Sequence, residues 1–207
     1  MKKTFFGLFA LLIFSTTKAQ LNVSVGPVAG FGHSWISGGE NNRYNPSGNF
    51  GLQLYFSPTE HLGIGGDFKY SIEGGTAEIG GIKYATRLNY LRVPITGIYF
   101  FNNYGDRLRP KISLGPSIGF LIGGNLQADG TETSFNIKDN YKNIDFGVVA
   151  NAGVHYRLIT NTWITFDMNY YNGLSDITET EATNVKNRNI GVNLGLTFGI
   201  GTHRPGY

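Results

Sequence analysis

Apolar and polar residues alternate with period two along most of the chain between residues 21 and 200. The pattern is clearest at 188–200, where Ile190, Val192 and Leu194 begin an apolar row that ends at Ile200. Glycine, asparagine and threonine occupy the positions between them. Because successive side chains of a β-strand point to opposite faces, this segment is predicted to form a strand with one apolar and one polar face.

Blocks of the same kind predict eight strands in all. They lie at 21–32, 48–57, 61–73, 87–101, 110–122, 143–157, 162–174 and 188–200. Short connections follow the second, fourth and sixth strands, and longer polar ones follow the odd strands at about 33–47, 74–86, 123–142 and 175–187. The glycine pairs 74–75 and 123–124, at the start of two long connections, are interpreted as turns. Short turns at one end and long loops at the other are typical of bacterial outer-membrane barrels.

Aromatic residues sort by strand end, which supports a membrane setting. If odd-numbered strands run outward, one group lies at the outer ends of the apolar rows and a second group at the inner ends. The outer group is Phe31, Tyr70, Phe120 and Tyr170, and the inner group is Phe56, Tyr99, Phe101, Tyr156 and Phe198. Such groups form the two aromatic belts at the membrane boundaries of transmembrane barrels.

A soluble β-barrel or sandwich is the alternative, since it also alternates with period two. Its polar face would meet water and be rich in lysine and glutamate. Here that face is mostly glycine, asparagine, serine and threonine, and charged residues make up only 15% of the chain, against about 25% in typical soluble domains. The predicted fold class is therefore all-β: an eight-stranded antiparallel up-and-down transmembrane β-barrel with short periplasmic turns and longer extracellular loops.

The first nineteen residues have the features of a cleavable signal peptide. Lys2 and Lys3 precede an apolar stretch at 5–14, and small residues at Thr17 and Ala19 predict cleavage before residue 20. The stretch is too short for a membrane helix, which needs about 20 apolar residues. We therefore assign 1–19 to the signal and 20–207 to one barrel domain in the outer membrane.

Charge and cysteine content exclude several function classes. Three of the 17 lysines and arginines lie in the signal, so 14 basic residues face 14 acidic ones in the mature chain. This neutrality gives no support for nucleic-acid binding. The chain has no cysteine, which excludes disulfides, thiolate metal sites and a lipid-anchored N-terminus.

Three segments resemble a known family. Residues 90–95 read YLRVPI, residues 145–154 read DFGVVANAGV, and residues 167–177 read DMNYYNGLSDI. Together they resemble the porin-like, PorT-type outer-membrane β-barrel family of Bacteroidetes, small barrels of the OmpX/OmpA kind, although Asn169 stands where that family has arginine. The resemblance covers essentially the whole mature chain, and it implies an accessory part in protein secretion.

The last strand also resembles the C-terminal signal by which the barrel-assembly machinery recognises its clients. The matching residues are Asn193, Gly195, Phe198 and Ile200. The resemblance implies that this machinery is a partner during insertion. In that signal the aromatic residue usually ends the chain, whereas here residues 201–207 follow.

Charged residues at inward positions are the main candidate site. They are Asp67, Lys69, Arg92, Lys111, Asp145, His155, Arg157 and Asp167. Unpaired buried charge is costly, so these groups are expected to pair and to form a structural network that fills the lumen. A proton or ion path along them is the alternative, but an eight-stranded barrel has room for side chains and not for a free channel.

Other candidate chemistry is weaker. His33 and Ser34, with a carboxylate such as Glu40, suggest a lipid-modifying hydrolase, but adjacent strand residues point to opposite faces and cannot act on one another. The remaining histidines are too scattered to predict a metal site, and no cofactor is expected. Two long loops carry acidic residues without the spacing of a calcium loop and are interpreted as solvated surface. These residues are Asp129, Glu132 and Asp139 in one loop and Asp176, Glu179 and Glu181 in the other.

The sequence thus predicts a monomeric, non-enzymatic outer-membrane barrel that acts through its loops or stabilises the envelope. Its expected partners are outer-membrane lipid and lipopolysaccharide. A lipid-modifying hydrolase and a small-solute pore are the rival hypotheses.

Overall fold

The computed structural model describes residues 22–38, 45–131, 134–179 and 184–200. In this part of the chain eight long strands form the barrel wall, and a three-residue strand and a 3-10 helix lie between the fifth and sixth of them. The wall strands are β1 (Asn22–Ser37), β2 (Asn45–Ser57), β3 (Leu62–Ile79), β4 (Ile82–Phe100), β5 (Leu108–Ala128), β7 (Ile144–Ile159), β8 (Thr162–Gly173) and β9 (Lys186–Ile200). The short strand is β6 (Ser134–Asn136), and the 3-10 helix is Lys138–Asn140.

Antiparallel pairing closes the sheet on itself. Each wall strand pairs with the next along the chain, including β4 with β5 and β5 with β7. The ring is completed between the first and last strands, where Val25 opposes Phe198 and Ala29 opposes Leu194. The prediction of an eight-stranded up-and-down antiparallel barrel is therefore confirmed. No helix in the described residues is long and apolar enough to span a membrane.

The outer surface of the barrel is apolar in the rows that the sequence predicted. Phe31 is 73% exposed and Leu194 is 60% exposed. Aromatic rings of the outer belt contact their neighbours, as Phe50 does Tyr70 at 5.4 Å between ring centroids. A face of this kind is stable only against lipid.

The strands extend further outward than predicted, and both glycine-pair interpretations are wrong. Gly74 and Gly75 lie inside β3, and residues 123–124 lie inside β5, beside a bulge opposite residues 89 and 90. The turn between β3 and β4 falls instead at Gly80 and Gly81, whose φ values of 60° and 80° favour glycine. Beyond the membrane both faces of a strand meet water, so the apolar alternation that marks a strand disappears.

These extensions form a small sheet above the membrane, which we call the extracellular sheet. It consists of residues 76–79 of β3, 82–86 of β4, 125–128 of β5 and the short strand β6. Its register places Ala85 between Thr76 and Gln127, and Leu126 opposite Phe135. The loop predicted at 74–86 is therefore largely sheet, and the loop predicted at 123–142 is sheet in part.

Candidate functional site

The outer half of the lumen holds a buried group of charges, which we call the outer ion cluster: Glu73, Arg92 and Asp145. The Arg92 guanidinium donates to Glu73 through Nε to Oε1 at 2.7 Å and through Nη2 to Oε2 at 2.6 Å. The same Nη2 donates to Asp145 Oδ2 at 2.7 Å. Inward positions of β3, β4 and β7 carry the three residues, so the cluster ties β7 to two strands with which it does not pair.

Neighbouring side chains complete this cluster. Ser71 Oγ donates to Glu73 Oε1 at 2.7 Å, and the Asn187 amide donates to Glu73. The Arg92 guanidinium carbon lies 4.0 Å from the centroid of the Tyr171 ring, a cation–π geometry. With two carboxylates and one guanidinium, the cluster carries a formal charge of −1.

A second group lies deeper and is called the inner ion cluster: Tyr55, Lys111 and Asp167. Lys111 Nζ donates to Asp167 Oδ2 at 2.8 Å and to the Tyr55 hydroxyl at 3.1 Å. The Tyr55 hydroxyl donates to Gln53, whose Nε2 donates to Thr165 Oγ1 at 3.1 Å. A polar chain therefore crosses the lumen from β5 to β2 and β8.

A small void lies beside the inner ion cluster. Its volume is about 30 Å³, and its lining includes Lys69, Asn151, Asp167 and Asn193. Lys69 Nζ also pairs with Asp67 at 3.0 Å. A space of this size holds about one water molecule, so it is a solvation site and does not form a channel.

The periplasmic mouth is closed by stacked side chains. The Arg109 guanidinium carbon lies 3.9 Å from the centroid of the Phe100 ring, and its Nη2 donates to the Glu60 carbonyl at 2.5 Å. Above them His155 packs against Tyr55, with 5.3 Å between ring centroids. Aromatic rings and a fixed guanidinium therefore fill the inner end of the lumen.

The extracellular mouth is closed by an apolar group, which we call the outer plug. Leu88 and Ile177 are fully buried, and Ile177 and Val185 come from the β8–β9 loop. The plug consists of Ile36, Leu88, Tyr90, Leu121, Ile177 and Val185. The prediction of a polar lumen is therefore wrong for its outer end, where a loop folds inward and buries apolar side chains over the outer ion cluster.

Asp176 holds the plug loop in place. Its Oδ1 accepts hydrogen bonds from the Val185 N–H at 2.9 Å and from the Thr178 N–H at 3.3 Å, and its Oδ2 pairs with Lys142 at 3.1 Å. Desolvation raises the pKa of Asp176, but the two backbone donors and Lys142 outweigh it and lower the pKa to about 2. Of the acidic loop residues that were interpreted as solvated surface, this one is structural.

The structure brings together most of the predicted lumen residues. Asp67 with Lys69, Arg92 with Asp145, and Lys111 with Asp167 are paired, and His155 is buried beside the inner ion cluster. Arg157 lies outside this network, because it sits near the end of β7 and its Nη2 donates to the Gly105 carbonyl at 2.7 Å in the periplasmic turn.

Sequence reasoning missed two charged residues of the lumen. Asp67, Lys69 and Ser71 are alternate residues of one strand and face the lumen. Glu73 is the next residue of this inward row, so extending the row by one position would have identified it. Arg109 lies just before the predicted start of its strand at residue 110, and parity with Lys111 places it inward.

The four residues of the C-terminal motif lie on both faces of β9. Phe198 and Ile200 face outward, whereas Asn193 faces inward and accepts a hydrogen bond from Asn49 Nδ2 at 2.9 Å. A Cβ atom at Gly195 would lie 1.9 Å from Gln53 Nε2. Packing inside the lumen therefore gives Asn193 and Gly195 a role in the folded barrel.

The two hydrolase candidates lie on opposite faces of β1. Ser34 is fully buried inside the barrel, and His33 is exposed on the outer face. Glu40 lies outside the described residues, as do the signal segment 1–19 and the tail 201–207. Within the described ranges, no group of three or more histidine, cysteine, aspartate or glutamate residues could hold a metal ion.

Comparison with known families agrees with this geometry. The family model described as outer membrane protein beta-barrel domain matches residues 6–179. The chain belongs to this family. Its place is therefore the outer membrane, where the apolar outer rows of the barrel contact lipid.

Solved structures with the same fold share little sequence with the chain. The Neisserial surface protein A (NspA) is 12% identical, with 86% of this chain and 97% of that chain covered and a TM-score of 0.54. Outer membrane protein OprG from Pseudomonas aeruginosa is 9% identical, with 89% and 97% covered and a TM-score of 0.50. No curated protein sequence is significantly similar to this chain. These similarities establish the barrel fold alone, so any activity has to be argued from the residues of this chain.

Proposed function

We propose that the protein is a non-enzymatic, non-conducting outer-membrane barrel that works through its extracellular sheet and loops. The observation that carries this proposal is the filling of the lumen at three levels. The outer plug, the two ion clusters and the stack of Arg109 on Phe100 follow one another from the outer to the inner mouth.

Charge balance supports a structural role for the clusters. In the described lumen network, which leaves out Arg157 at the periplasmic end, four acids face four bases. They are Asp67, Glu73, Asp145 and Asp167, with Lys69, Arg92, Arg109 and Lys111. A selective pore lines its path with charge of one sign and keeps room for water, whereas here the charges are neutralised and the void among them is about 30 Å³.

The extracellular sheet is the part of the molecule available to partners. Phe135 is 61% exposed and Ile82 is 48% exposed, and both lie above the lipid-facing rows. Exposed apolar side chains outside the bilayer are suited to contact with another macromolecule. This surface is where we place loop-mediated binding and any contribution to envelope stability.

Three finer expectations extend the proposal. The protein acts as a monomer, depends on the barrel-assembly machinery for insertion, and serves as an accessory to secretion in the manner of the PorT-type subgroup. The resemblance of 90–95, 145–154 and 167–177 to that subgroup supports the last of these. Accumulation of secreted cargo in the periplasm of a deletion strain, reversed by the wild-type gene, is the expected result. Normal secretion would contradict the accessory role.

Single-channel recording in planar bilayers tests the non-conducting proposal. The purified folded protein is expected to give no steady conductance steps, because its lumen is filled. The same purification from a strain that lacks the gene controls for contaminating porins. Steps that are reproducible, scale with the amount of folded protein and are absent from that control would overturn the proposal in favour of a small-solute pore.

A further inference from the structure

A concave site lies on the outer side of the extracellular sheet. Its volume is about 290 Å³, and its lining includes Thr76, Lys83, Ala85, Arg87 and Gln127. Small-molecule sites typically measure about 300–1,000 Å³. The concavity is at the lower end of that range, which suits one sugar unit.

Strand geometry explains why the surface is concave there. Lys83, Ala85 and Arg87 occupy successive outward positions of β4, so two long cationic side chains flank a methyl group. Thr76 and Gln127 are the cross-strand neighbours of Ala85 on either side. The small residue forms the floor, and its larger neighbours form the walls.

The site is preformed by its own hydrogen bonds. The Asp129 N–H donates to the Lys83 carbonyl at 2.8 Å, and Gln127 Nε2 donates to the Thr131 carbonyl at 3.0 Å. Gly130 completes the turn with a φ of 78°. Ordering costs on binding are therefore small, because the walls are held in place before a ligand arrives.

The position of the site relative to the membrane indicates what it meets. Leu91 faces lipid at the level of Tyr70 and Phe120, its cross-strand neighbours in the outer aromatic belt. With about 3.3 Å per residue and a strand tilt of about 40°, Arg87 stands about 10 Å above that belt and Lys83 about 20 Å. Sugars of the outer-leaflet lipid occupy this height.

The charged side chains of the site determine which kind of sugar it would bind. The lining carries two cations, Lys83 and Arg87, and one acid, Asp129. The acid Glu78 is the cross-strand neighbour of Lys83, whereas Arg87 has Gly74 and Asn125 opposite it, so Arg87 is the main cation of the site. Guanidinium and ammonium groups bind phosphate through charge-assisted hydrogen bonds. We propose that this site binds a phosphorylated sugar of the lipopolysaccharide that surrounds the barrel, and so fixes the extracellular sheet to the outer leaflet.

Calorimetric titration provides the test. The protein, in nanodiscs of phosphatidylcholine, is titrated with deacylated lipopolysaccharide core oligosaccharide that retains its phosphates. The Lys83→Gln/Arg87→Gln variant is expected to bind at least about tenfold more weakly, because two charge-assisted hydrogen bonds are lost. Ala85→Phe keeps both charges but fills the floor, and is expected to lose affinity to a similar extent.

A matched control separates this site from a general electrostatic effect. Lys186→Gln/Arg188→Gln removes the same charge from outward positions of β9, on the opposite side of the barrel, and is expected to change affinity by less than about twofold. A difference in gel mobility between unboiled and boiled samples verifies that each variant is folded. Absence of binding by the wild type, equal losses in the control, or unchanged binding of dephosphorylated oligosaccharide would each overturn the proposal. None of these outcomes depends on whether the lumen conducts.

Discussion

Replacing Arg92 with methionine tests the energetics of the outer ion cluster. The side chains of Glu73 and Asp145 are 2% and 0% exposed, and Arg92 is the cation that pairs with both. Without the guanidinium, the formal charge of the cluster changes from −1 to −2 with no counterion in contact. Leaving buried charge uncompensated costs about 3–5 kcal/mol, and we expect Arg92→Met to lose that much free energy of unfolding.

Two companion variants separate charge from packing. Glu73→Gln leaves the Arg92–Asp145 pair intact and removes one charged acceptor, so the expected cost is about 1–2 kcal/mol. Glu73→Gln/Arg92→Met/Asp145→Asn carries no charge in the cluster. It is expected to be more stable than Arg92→Met alone, because the uncompensated carboxylates are gone.

Urea unfolding in detergent micelles gives the measurement. Two signals are followed: the fluorescence of the two tryptophans, and the fraction of protein whose gel mobility changes on boiling. Both report the same transition if unfolding is two-state. The free energies follow from the midpoint and slope of each transition. An Arg92→Met midpoint equal to that of the wild type, or a triple variant less stable than Arg92→Met, would refute the electrostatic reasoning.

Three further outcomes are expected from the packing of the barrel and its loop. Gly115→Ala should lower the folding yield sharply, because its Cβ would lie 2.0 Å from a backbone oxygen of β4. Gly97→Ala, whose nearest neighbour would be 3.9 Å away, should fold normally. The fraction of protein whose gel mobility changes on boiling compares the two variants. The Asp176 pKa is lowered from its ordinary 3.8 to about 2, so its contribution to loop stability is complete above about pH 5 and is lost as the pH falls through 3.8 and then through about 2. Asp176→Asn should speed amide exchange at Val185 at neutral pH, and unchanged exchange would contradict that role. Ile177→Ala removes a fully buried plug residue and should cost about 2–4 kcal/mol of local stability, seen as faster proteolysis of the β8–β9 loop with the barrel intact.

Sequence alone predicted the membrane-spanning part of the fold well, for a physical reason. Lipid on one side and a packed lumen on the other impose strict alternation, so the strand predicted at 188–200 is observed at Lys186–Ile200. That constraint ends above the membrane. The outer extensions of β3 and β4 therefore left no periodic pattern and were interpreted as a loop.

The alternation of side chains along each strand also predicted which charges face inward, but the pairing of those charges depends on strand stagger and side-chain length. Arg92 contacts Glu73 on the neighbouring strand and Asp145 two strands away, and this geometry has no counterpart in local sequence. The outer plug could not be predicted from the sequence for a related reason. Ile177 and Val185 are isolated apolar residues in a polar loop, and their burial follows from the way the loop folds over the mouth.

Cysteine accessibility tests the filled lumen most directly, because the chain has no native cysteine. Ser113→Cys and Asn151→Cys place thiols beside the small void at mid-lumen, and Thr131→Cys in the exposed extracellular turn is the positive control. A charged methanethiosulfonate reagent, added from both sides of reconstituted vesicles, is expected to label Thr131→Cys fully and to leave both lumen positions unmodified. Labelling of the lumen thiols at a rate similar to that of the control would show a continuous aqueous path and contradict the account.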